Sequence, residues 1–505
     1  MAINVGQWVT HWSKVTPNKT AIIFGKENYT YQEFNHYVNR YAHTLRKLGI
    51  KKEEQVACMS MNSPEFLFLF FACAKLGIRF VPINIRAVAS ELKYFIEMSE
   101  AKALFAQTAF QSVVERAELK LEHTYYFDPT YEDLPSVERV LSSDDSEIGD
   151  KGVTWESDLA ICFTSGTTGN PKGAVLTHSN IFWVTTQMII GYNYTSEDVW
   201  MVAIPLCFTG GLVPATMPCI HSGGTMVLEK EIKPNRILHL IEEHKVSAAL
   251  VVTSVCQMLT QDEYFAEADL SSFKALTIGA APIPPVIVER FKQKNVRISN
   301  GYGITEGSAC EAFLPVEDME TRNGAYMPCI YTEMIVIDDQ GIELIDGEIG
   351  EVALRGPVCF KEYWKNPEAT KSSHINGWFK TGDLGYKDGD GYFRLVDRKK
   401  DMIITGSLNV YSTEVESALL RMEEIKECAV IGLIHEKWGE AVTAVIVPKI
   451  EGTLTEDQVV NYCREVLSDY KCPKKVIITD QLPYNTSGKL LKRKLRDQFT
   501  NVFSI

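Results

Sequence analysis

Short apolar runs alternate with helical patterns along the first part of the chain. Residues 21–24, 55–59 and 80–83 are apolar runs of strand length. Residues 31–48 place apolar side chains at helical spacing, and this pattern ends at Gly49. Strands that alternate with helices in this way predict β-α-β units and therefore a parallel sheet.

The clearest helix of the chain lies between the second and third of these strands. Ser63 is placed to cap it, Pro64 suits its first position, and Glu65 complements the helix dipole. The body, FLFLFFACAKL, is apolar around most of its circumference, and Gly77 can end the helix. This composition predicts a helix that is buried on most of its faces.

The alternation continues after residue 150 and changes near Met334. Further apolar runs predict strands at residues 159–163, 199–205, 225–228, 248–252, 275–279 and 296–299. Helical patterns separate some of these runs, at residues 179–190, at 236–244 and from Pro285 onwards. From Met334 the pattern is rich in strands and turns. The end of the chain predicts two strands, at residues 429–433 and 441–447, and two helices, at residues 413–421 and 456–467.

Bulk composition limits the class of protein. A chain of 505 residues is too long for a single core, so two or more domains are expected. The net charge of −14 argues against nucleic acid as the main partner. The one dense basic run, residues 489–496, contains leucines and predicts an amphipathic helix with a solvated face. The longest apolar run, residues 66–74, is far shorter than the roughly 20 residues that a membrane span requires.

The cysteines indicate a reducing compartment. The twelve cysteines form no CxxC pair and show no cysteine and histidine spacing typical of a metal site. The beginning of the chain does not have the pattern of a secretory leader. These features predict a cytoplasmic protein whose thiols are structural.

One stretch has the composition of a phosphate-binding loop. Residues 164–173, TSGTTGNPKG, contain four hydroxyls, three glycines and one lysine, and almost nothing that could be buried. Glycine N–H groups, hydroxyls and the ammonium group of Lys172 are the donors that a phosphate cradle needs. The P-loop of nucleotide triphosphatases does not match, because it requires Gly-Lys-Ser/Thr and Lys172 is followed by Gly173. A polar linker is the alternative interpretation.

This loop, with His178 after it, resembles the signature of the adenylate-forming superfamily, which contains acyl-CoA synthetases, adenylation domains of peptide synthetases and luciferases. NSPEFLFLFFACAKLGIRFVPIN resembles a second, structural segment of that superfamily, and the resemblance covers residues 10–496. It implies an α/β fold with a large N-terminal domain of stacked mixed β-sheets, helices and a β-barrel-like part, and a small mobile α+β C-terminal domain. The expected domains are residues 1–399 and 400–505.

Further segments resemble the nucleotide-binding parts of the superfamily. GAAP, residues 279–282, resembles its adenine-binding turn. In this resemblance Thr305 donates to a phosphate, Glu306 holds Mg²⁺ between phosphates, and Asp383 binds the ribose hydroxyls. For Asp383 the alternative is an ordinary turn aspartate. The residues that the resemblance assigns to nucleotide binding are Thr164, Ser165, Gly166, Thr167, Thr168, Gly169, Gly279, Ala280, Ala281, Asn300, Gly301, Tyr302, Gly303, Thr305, Asp383, Leu395 and Arg398.

The motif LPYNTSGKLLKR resembles the terminal motif that carries the superfamily's catalytic lysine, here Lys489. The resemblance implies that Lys489 bridges the substrate carboxylate and the α-phosphate of ATP. Lys172 and the Mg²⁺ on Glu306 would offset the repulsion between these two anions. A surface lysine is the alternative for Lys489. The expected catalytic residues are therefore Lys489, Glu306 and Lys172.

A pivot and a CoA path follow from the same resemblance. Relatives pivot their small domain on the second residue after an arginine that is here Arg398, so the expected pivot is Lys400. The expected path of the CoA thiol passes Gly406 and Ser407. The chain departs from the family here, because Ser407 stands where relatives have glycine. Serine is small, so thioester formation is still expected, and an acyl-AMP ligase that loads a separate carrier protein is the alternative.

The segment PLCFTGG resembles the Pro-Leu-Phe-His-x-x-Gly sequence that lines the acyl site in relatives. Phe208 replaces the histidine and is expected to form an apolar wall or gate, with a core aromatic as the alternative. The expected acyl-pocket residues are Phe208, Thr209, Gly210, Thr253 and Ser254. No lone arginine or lysine occurs in the segments expected to line this pocket, which favours a fatty or aryl acid over a dicarboxylate.

These features together predict an ATP-dependent acid:CoA ligase. It would adenylate an apolar carboxylic acid with release of pyrophosphate and then transfer the acyl group to CoA with release of AMP. A nucleotide-binding relative without turnover is a further alternative, although the expected catalytic residues are all present. The expected ligands are a small carboxylic acid, ATP, Mg²⁺ and CoA. The sequence leaves a homodimer open and predicts no nucleic-acid partner.

Overall fold

The chain forms two compact units. The computed structural model describes residues 4–128, 135–164, 171–279, 283–450, 452, 454–484 and 490–503. Unit 1 consists of Met1–Met334 and Leu354–Phe379, and unit 2 consists of Ile335–Ala353 and Lys380–Ile505. The boundary expected at residue 400 concerns a pivot between moving parts, and it stays a prediction. None of the helices in the described residues combines the length and apolar character needed to cross a bilayer.

The strands follow one another along both units. In chain order they are β1 (Thr20–Phe24), β2 (Glu27–Thr30), β3 (Gln55–Met59), β4 (Arg79–Pro82), β5 (Ala101–Ala106), β6 (His123–Tyr126), β7 (Asp158–Thr164), β8 (Lys172–Thr177), β9 (Val199–Val202), β10 (Thr225–Leu228), β11 (Ala248–Val252), β12 (Ala275–Gly279), β13 (Ile298–Tyr302), β14 (Ala312–Phe313), β15 (Ala325–Pro328), β16 (Glu333–Ile337), β17 (Gly350–Arg355), β18 (Glu362–Tyr363), β19 (His374–Ile375), β20 (Trp378–Lys387), β21 (Phe393–Arg398), β22 (Ile403–Thr405), β23 (Leu408–Val410), β24 (Ile425–His435), β25 (Gly439–Pro448) and β26 (Lys475–Ile478).

The helices alternate with these strands. In chain order they are α1 (Gln7–Val15), α2 (Tyr31–Lys47), α3 (Pro64–Leu76), α4 (Ala89–Ser99), α5 (Gln111–Arg116), α6 (Val137–Val140), α7 (His178–Tyr192), α8 (Thr209–Leu212), α9 (Met217–Ser222), α10 (Pro234–His244), α11 (Thr253–Gln261), α12 (Pro285–Gln293), α13 (Met319–Arg322), α14 (Pro367–Ser372), α15 (Ser412–Leu419), α16 (Glu456–Val466) and α17 (Lys492–Gln498).

Helix α3 confirms the strongest sequence prediction. The Ser63 hydroxyl accepts from the Phe66 N–H at 3.4 Å, and Gly77 ends the helix with φ +68°. All residues from 66 to 76 are buried. Burial of these apolar side chains is the main favourable contribution of α3 to the stability of unit 1.

One charged residue of α3, Lys75, is also fully buried. Its ammonium group donates to Asn35 at 2.8 Å and Asn39 at 2.7 Å, and forms an ion pair with Glu147 at 2.9 Å. Burial lowers the pKa of Lys75 to about 8. A buried charge requires such a set of partners. The segment around Glu147, which precedes β7, is therefore bound to the core through Lys75.

Unit 1 contains two mixed sheets, as expected. One runs β15-β14-β13-β12-β11-β9-β10-β1-β2, and its strands from β13 to β1 are parallel. The other runs β18-β8-β7-β4-β3-β5-β6, with the strands from β7 to β6 parallel. Strands β8 and β18 add to its edge in antiparallel order.

Unit 2 contains antiparallel strands and a small α+β part. Strands β16, β17, β20 and β21 are neighbours in that order, and a separate sheet runs β23-β22-β25-β24, with β26 on β25. Val430 and Ile446 of the long β24 and β25 hairpin belong to a core with α15 and α16. Ile431 and Leu495 belong to a second core, which includes α17.

Several sequence predictions differ from the structure. No strand was predicted at residues 172–177, which form β8, so the phosphate loop connects two antiparallel strands. The strand predicted at residues 296–299 is β13, which extends to Tyr302. The alternative of a turn aspartate for Asp383 is wrong, because Asp383 lies within a long strand, β20, that pairs with β21.

Candidate active site

The predicted phosphate loop begins and ends at directly paired residues. Thr164 at the end of β7 is opposite Lys172 at the start of β8, and the Thr164 hydroxyl donates to the Lys172 carbonyl at 3.4 Å. Gly173 has no room for a side chain, because a Cβ there would lie 2.7 Å from Ile161. The predicted site residues Ser165, Gly166, Thr167, Thr168 and Gly169 lie outside the described residues.

Lys172 and Glu306 are brought to the same aromatic side chain. The Lys172 Nζ lies 5.0 Å from the centre of the Tyr363 ring, within the range of a cation–π contact. The Tyr363 hydroxyl donates to Glu306 Oε1 at 2.7 Å. Lys172 and Glu306, which the sequence predicted from separate motifs, therefore both contact Tyr363. The sequence analysis did not identify Tyr363.

Glu306 lies in a short 3₁₀ turn, Thr305–Gly307. The Phe360 N–H donates to the Glu306 carbonyl at 2.7 Å, which fixes the turn against the segment before β18. The Thr209 hydroxyl donates to the Thr305 hydroxyl at 3.2 Å. Residues predicted for phosphate and acyl binding are thus in direct contact.

A second acidic residue, Glu311, was missed by the sequence analysis. It is fully buried, and its carboxyl group accepts from the Ile304 N–H at 3.0 Å. Burial raises the pKa of Glu311 well above its usual range. Gly307 lies beside it, since a Cβ at Gly307 would be 1.8 Å from Glu311 Oε1. The sequence signal that could have identified Glu311 is a charged residue among small and apolar neighbours.

The residues predicted to bind adenine lie at the ends of parallel strands. Gly279 ends β12, and a Cβ there would lie 3.2 Å from the Gly301 carbonyl oxygen on β13. Asn300 is fully buried, and its amide oxygen and nitrogen have no hydrogen-bond partner among the described residues. An amide in this state fits a ligand with donors and acceptors, such as a nucleobase. Ala280 and Ala281 lie outside the described residues.

Tyr302 and Gly303 follow at the end of β13. The Tyr302 ring is 7% exposed and packs against Tyr326 with 5.6 Å between ring centres. Gly303 cannot carry a side chain, because a Cβ would lie 2.2 Å from the Ala309 carbonyl. The role of Tyr302 in nucleotide binding stays a prediction.

Unit 2 carries the residues predicted to bind ribose. Asp383 and Arg398 are opposite each other on β20 and β21, and Arg398 Nε is 2.6 Å from Asp383 Oδ1. Asp383 is 4% exposed, and its N–H donates to the Thr381 hydroxyl at 3.0 Å. Leu395 lies on the same strand pair, opposite Gly385. The pair presents an oriented carboxylate, which suits two vicinal hydroxyls.

The predicted pivot and CoA path lie further along unit 2. Lys400 is exposed. Its neighbour Lys399 forms ion pairs with Asp339 at 2.7 Å and Glu351 at 3.1 Å. Gly406 and Ser407 form the turn between β22 and β23, with φ of +55° and +65°.

Lys489 lies outside the described residues, but both sides of its motif are anchored. Tyr484 and Leu490 form a bridge, and the Leu491 N–H donates to the Pro483 carbonyl at 2.8 Å. These contacts hold together the described residues on either side of residues 485–489.

A series of polar contacts holds Lys492, at the start of α17. The sequence analysis did not identify these contacts. Lys492 forms an ion pair with Glu416 at 2.7 Å and donates to the Ser412 hydroxyl at 2.5 Å. The Ser412 N–H and hydroxyl donate to Asp397 at 2.5 and 2.7 Å. The start of α17 is therefore tied to the residue next to Arg398.

The predicted acyl segment contains one glycine with space for a side chain, Gly210, and one without such space, Gly211. Phe208 is half-buried and precedes α8. A Cβ at Gly210 would have no atom within 4 Å, whereas one at Gly211 would lie 2.0 Å from the Pro205 carbonyl oxygen. Thr253 and Ser254 begin α11, and Ser254 is exposed. The role of Phe208 as a wall stays a prediction.

The donor set around Glu306 fits Mg²⁺ that is shared with a triphosphate. Magnesium usually takes one or two carboxylates and completes its octahedron with water and phosphate oxygens. Glu306 supplies one carboxylate, and its bond from Tyr363 leaves its second oxygen available for a metal. Among the described residues, no three His, Cys, Asp or Glu side chains cluster as a metal site.

Comparisons with known proteins cover nearly the whole chain. The AMP-binding enzyme family profile matches residues 9–364, and the AMP-binding enzyme C-terminal domain profile matches residues 414–489. Feruloyl-CoA synthase from Amycolatopsis sp is 34% identical over 497 residues, which are 98% of this chain and 99% of the relative. Long-chain-fatty-acid–CoA ligase FadD13 from Mycobacterium tuberculosis is 33% identical over 502 residues, with coverage of 98% and 99%.

A solved structure is also similar. The o-succinylbenzoate CoA synthetase of Bacillus subtilis, in complex with its acyl-adenylate intermediate, has a TM-score of 0.87 and 28% identity. The match covers 97% of this chain and 98% of that chain. The similarity includes the fold and extends across both units.

Proposed function

This chain belongs to the AMP-binding enzyme family, and from that premise we propose that it is an ATP-dependent acid:CoA ligase. It adenylates a carboxylic acid with release of pyrophosphate, and then transfers the acyl group to CoA with release of AMP. Its substrates are a small carboxylic acid, ATP and CoA, and it uses Mg²⁺. This is the acid–thiol ligase activity of the relatives at 34% and 33% identity.

In the first half-reaction a carboxylate oxygen attacks the α-phosphorus of ATP. A bond forms between that oxygen and phosphorus, the bond from the α-phosphorus to the bridging oxygen breaks, and pyrophosphate leaves. Two anions must meet, so cations and oriented donors have to offset their repulsion. We assign these tasks to Lys489, Lys172 and the N–H groups of the phosphate loop.

Other residues position the nucleotide. Glu306 would hold Mg²⁺, which supplies charge neutralisation on the phosphates when it is bound. Asp383 would accept from the ribose hydroxyls, and Arg398 would keep that carboxylate oriented. Asn300 would pair with the base, which its unpartnered buried amide supports. Positioning of this kind can account for a large part of the barrier reduction.

In the second half-reaction the CoA sulfur attacks the acyl carbonyl carbon. A thioester bond forms, the bond from the carbonyl carbon to the adenylate oxygen breaks, the thiol proton passes to solvent, and AMP leaves. We propose that Lys400 is the pivot that exposes the path at Gly406 and Ser407. The boundary between the moving parts would then lie at residues 399–400.

The substrate class is a fatty or aryl acid. Open space at Gly210 leaves room for bulk, and the half-buried Phe208 offers an apolar surface. Feruloyl-CoA synthase and long-chain-fatty-acid–CoA ligase, two similar relatives, are named for acids of these kinds. A second cation would suit the second carboxylate of a dicarboxylate, and the predicted pocket segments contain no arginine or lysine, which favours a fatty or aryl acid.

The compartment and the oligomeric state are further proposals. We propose a cytoplasmic location, which the free cysteines support: all twelve are unpaired, and eleven of them are buried. We also propose a homodimer, which sedimentation velocity on the purified chain would test.

The observation that carries the proposal is the contact of Lys172 and Glu306 with one side chain, Tyr363. The test is a panel of acids from acetate to palmitate, with benzoate and cinnamate, in the presence of ATP and Mg²⁺. Pyrophosphate release and CoA consumption are measured together. We expect both, with a fatty or aryl acid preferred. Pyrophosphate release without CoA consumption would favour the carrier-loading alternative, and absence of both would contradict the proposal.

A further inference from the structure

Tyr363 contacts two residues of the proposed site with two different parts of its side chain. Its hydroxyl donates to Glu306 at 2.7 Å, and its ring lies 5.0 Å from the ammonium nitrogen of Lys172. The side chain is 7% exposed. Both contacts are made by a neutral side chain, so neither one neutralises the charge of Lys172 or of Glu306.

The position of Tyr363 is fixed by its strand. Tyr363 is opposite Ala174 on β8, the strand that begins with Lys172. On the same edge, the Trp364 N–H donates to the Gly173 carbonyl at 2.7 Å. The Tyr363 N–H donates to the Thr370 hydroxyl at 2.9 Å. Tyr363 therefore has a fixed distance from the Lys172 backbone.

The same segment also fixes the turn that contains Glu306. The Phe360 N–H donates to the Glu306 carbonyl at 2.7 Å, and the Phe360 ring lies 4.8 Å from the Tyr363 ring. Backbone and side chain of Glu306 are thus both bound by residues 360–363. A carboxylate that is held at two points loses little freedom when it meets a metal.

The chemistry of the two contacts suits this task. A hydroxyl bond to a carboxylate is charge-assisted and restricts the carboxylate rotamer. The Tyr363 hydroxyl is the donor of this bond, and Glu306 Oε1 is the acceptor. The face of the ring attracts the Lys172 ammonium group without neutralising it.

We propose that Tyr363 is a positioning residue for the ATP–Mg²⁺ complex, with its hydroxyl orienting Glu306 toward the metal and its ring orienting Lys172 toward the phosphates. The inference rests on the proposed function. Tyr363 does not touch the reacting atoms, and its effect passes through Glu306 and Lys172. The two contacts can be removed separately, since Tyr363→Phe removes only the hydroxyl and Tyr363→Leu removes both.

Equilibrium binding of α,β-methylene-ATP tests the proposal without turnover. Affinity is measured by calorimetry for the full chain with Mg²⁺ and with EDTA. In Tyr363→Phe we expect the tightening by Mg²⁺ to fall roughly tenfold, because one charge-assisted hydrogen bond is lost. Its affinity in EDTA stays at the wild-type value. In Tyr363→Leu the affinity in EDTA falls as well, because Lys172 is no longer oriented.

Kinetics provide a second readout. In Tyr363→Phe the Mg²⁺ concentration for half-maximal pyrophosphate release rises roughly tenfold, while the rate at saturating Mg²⁺ stays within about threefold of wild type. Tyr29→Phe is the matched control, because Tyr29 donates to Glu27 at 2.7 Å and removal of that hydroxyl leaves the site untouched. Melting curves confirm that each variant is folded.

Glu306→Gln separates this inference from the proposed function. If Glu306→Gln loses Mg²⁺ dependence and Tyr363→Phe behaves as wild type, the role of Tyr363 is overturned and the role of Glu306 stands. An equal loss of affinity with Mg²⁺ and with EDTA in Tyr363→Phe would indicate general packing and would also overturn the role of Tyr363. If Glu306→Gln keeps wild-type Mg²⁺ dependence, the metal role of Glu306 fails and the inference fails with it.

Discussion

Asp383 and Arg398 lie directly opposite each other on neighbouring antiparallel strands, and the guanidinium Nε is 2.6 Å from the carboxylate Oδ1. Arg398 contacts one oxygen of the Asp383 carboxylate, which is nearly buried. This contact orients the aspartate, as a group that accepts from two ribose hydroxyls must be.

Asp383→Asn should weaken recognition of the ribose. We expect kcat/KM for ATP to fall roughly 100-fold, since two charge-assisted hydrogen bonds of about 1.5 kcal/mol each are lost. Wild type should discriminate against 2′-deoxy-ATP and 3′-deoxy-ATP, and the variant should not. Asp390→Asn, at an exposed turn, is the control. Unchanged discrimination in Asp383→Asn would contradict the ribose role.

Lys489→Ala should abolish adenylation and leave ATP binding measurable. The lysine is expected to act on the charge that develops between carboxylate and α-phosphate, and loss of one such group costs roughly 100-fold or more. Pyrophosphate exchange measures adenylation, and calorimetry measures binding. Lys494→Ala serves as the control, because Lys494 is exposed on α17. Near-normal exchange in Lys489→Ala would refute the assignment.

Ser407→Gly should raise stability and the rate of the CoA step. Ser407 has φ +65°, a conformation that costs an L-residue about 1 kcal/mol and costs glycine little. The smaller residue would also widen the predicted thiol path. Thermal melting and single-turnover transfer from preformed adenylate to CoA measure the two effects. Ser468→Gly, at φ −62°, should not raise stability. A lower melting temperature for Ser407→Gly would contradict this account.

Two adjacent glycines should respond differently to substitution. Gly211→Ala should be destabilising by about 1–3 kcal/mol, because its Cβ would lie 2.0 Å from a backbone carbonyl oxygen. Gly210→Val should fold normally and lower kcat/KM for palmitate and cinnamate more than for acetate. Melting curves and the acid panel measure both effects. Equal acid profiles for Gly210→Val and wild type would place the acyl chain elsewhere.

His178 should make stability depend on pH. Burial lowers its pKa to about 3, whereas the unfolded value is 6.5. The unfolded chain therefore binds the extra proton below pH 6.5, and the stability contributed by neutral His178 is lost as the pH falls from 6.5 toward 3. At pH 5 the expected loss is about 2 kcal/mol relative to pH 7.5.

His178→Asn provides the comparison for that loss. Asparagine can still accept from the Val5 N–H, which lies 3.3 Å from His178 Nδ1, but it does not titrate. We expect the stability of wild type relative to this variant to decrease between pH 7.5 and pH 5 in urea denaturation. A constant difference would show that His178 is protonated alike in both states.

The sequence predicted the regular elements well because their local signals agree with the fold. Helix α3 has a cap, a proline at its first position, an apolar body and a glycine stop, and each of these is in place. The nucleotide motifs also named Lys172 and Glu306, and the structure shows that both contact Tyr363. The strand β8 was missed, because its alternation is short and follows a loop of unusual composition.

Residues that act through distant partners could not be predicted. Tyr363 lies 57 residues after Glu306 in the chain, and nothing in its local sequence indicates that contact. The same holds for Ser412, whose partners Asp397 and Lys492 come from different segments. Glu311 gave a weak signal as a charge among small residues, but its burial depends on the fold of residues 302–311.

The ion pair of Lys75 has a consequence for how the chain is made. Its acidic partner, Glu147, is 72 positions further along, so the ribosome completes helix α3 well before that carboxylate exists. Until then an apolar helix carries an ammonium group that cannot be enclosed without a large desolvation cost. Closure of the N-terminal core must therefore wait for synthesis of the connection, and a nascent fragment that stops short of it will keep this helix in contact with water or with a chaperone.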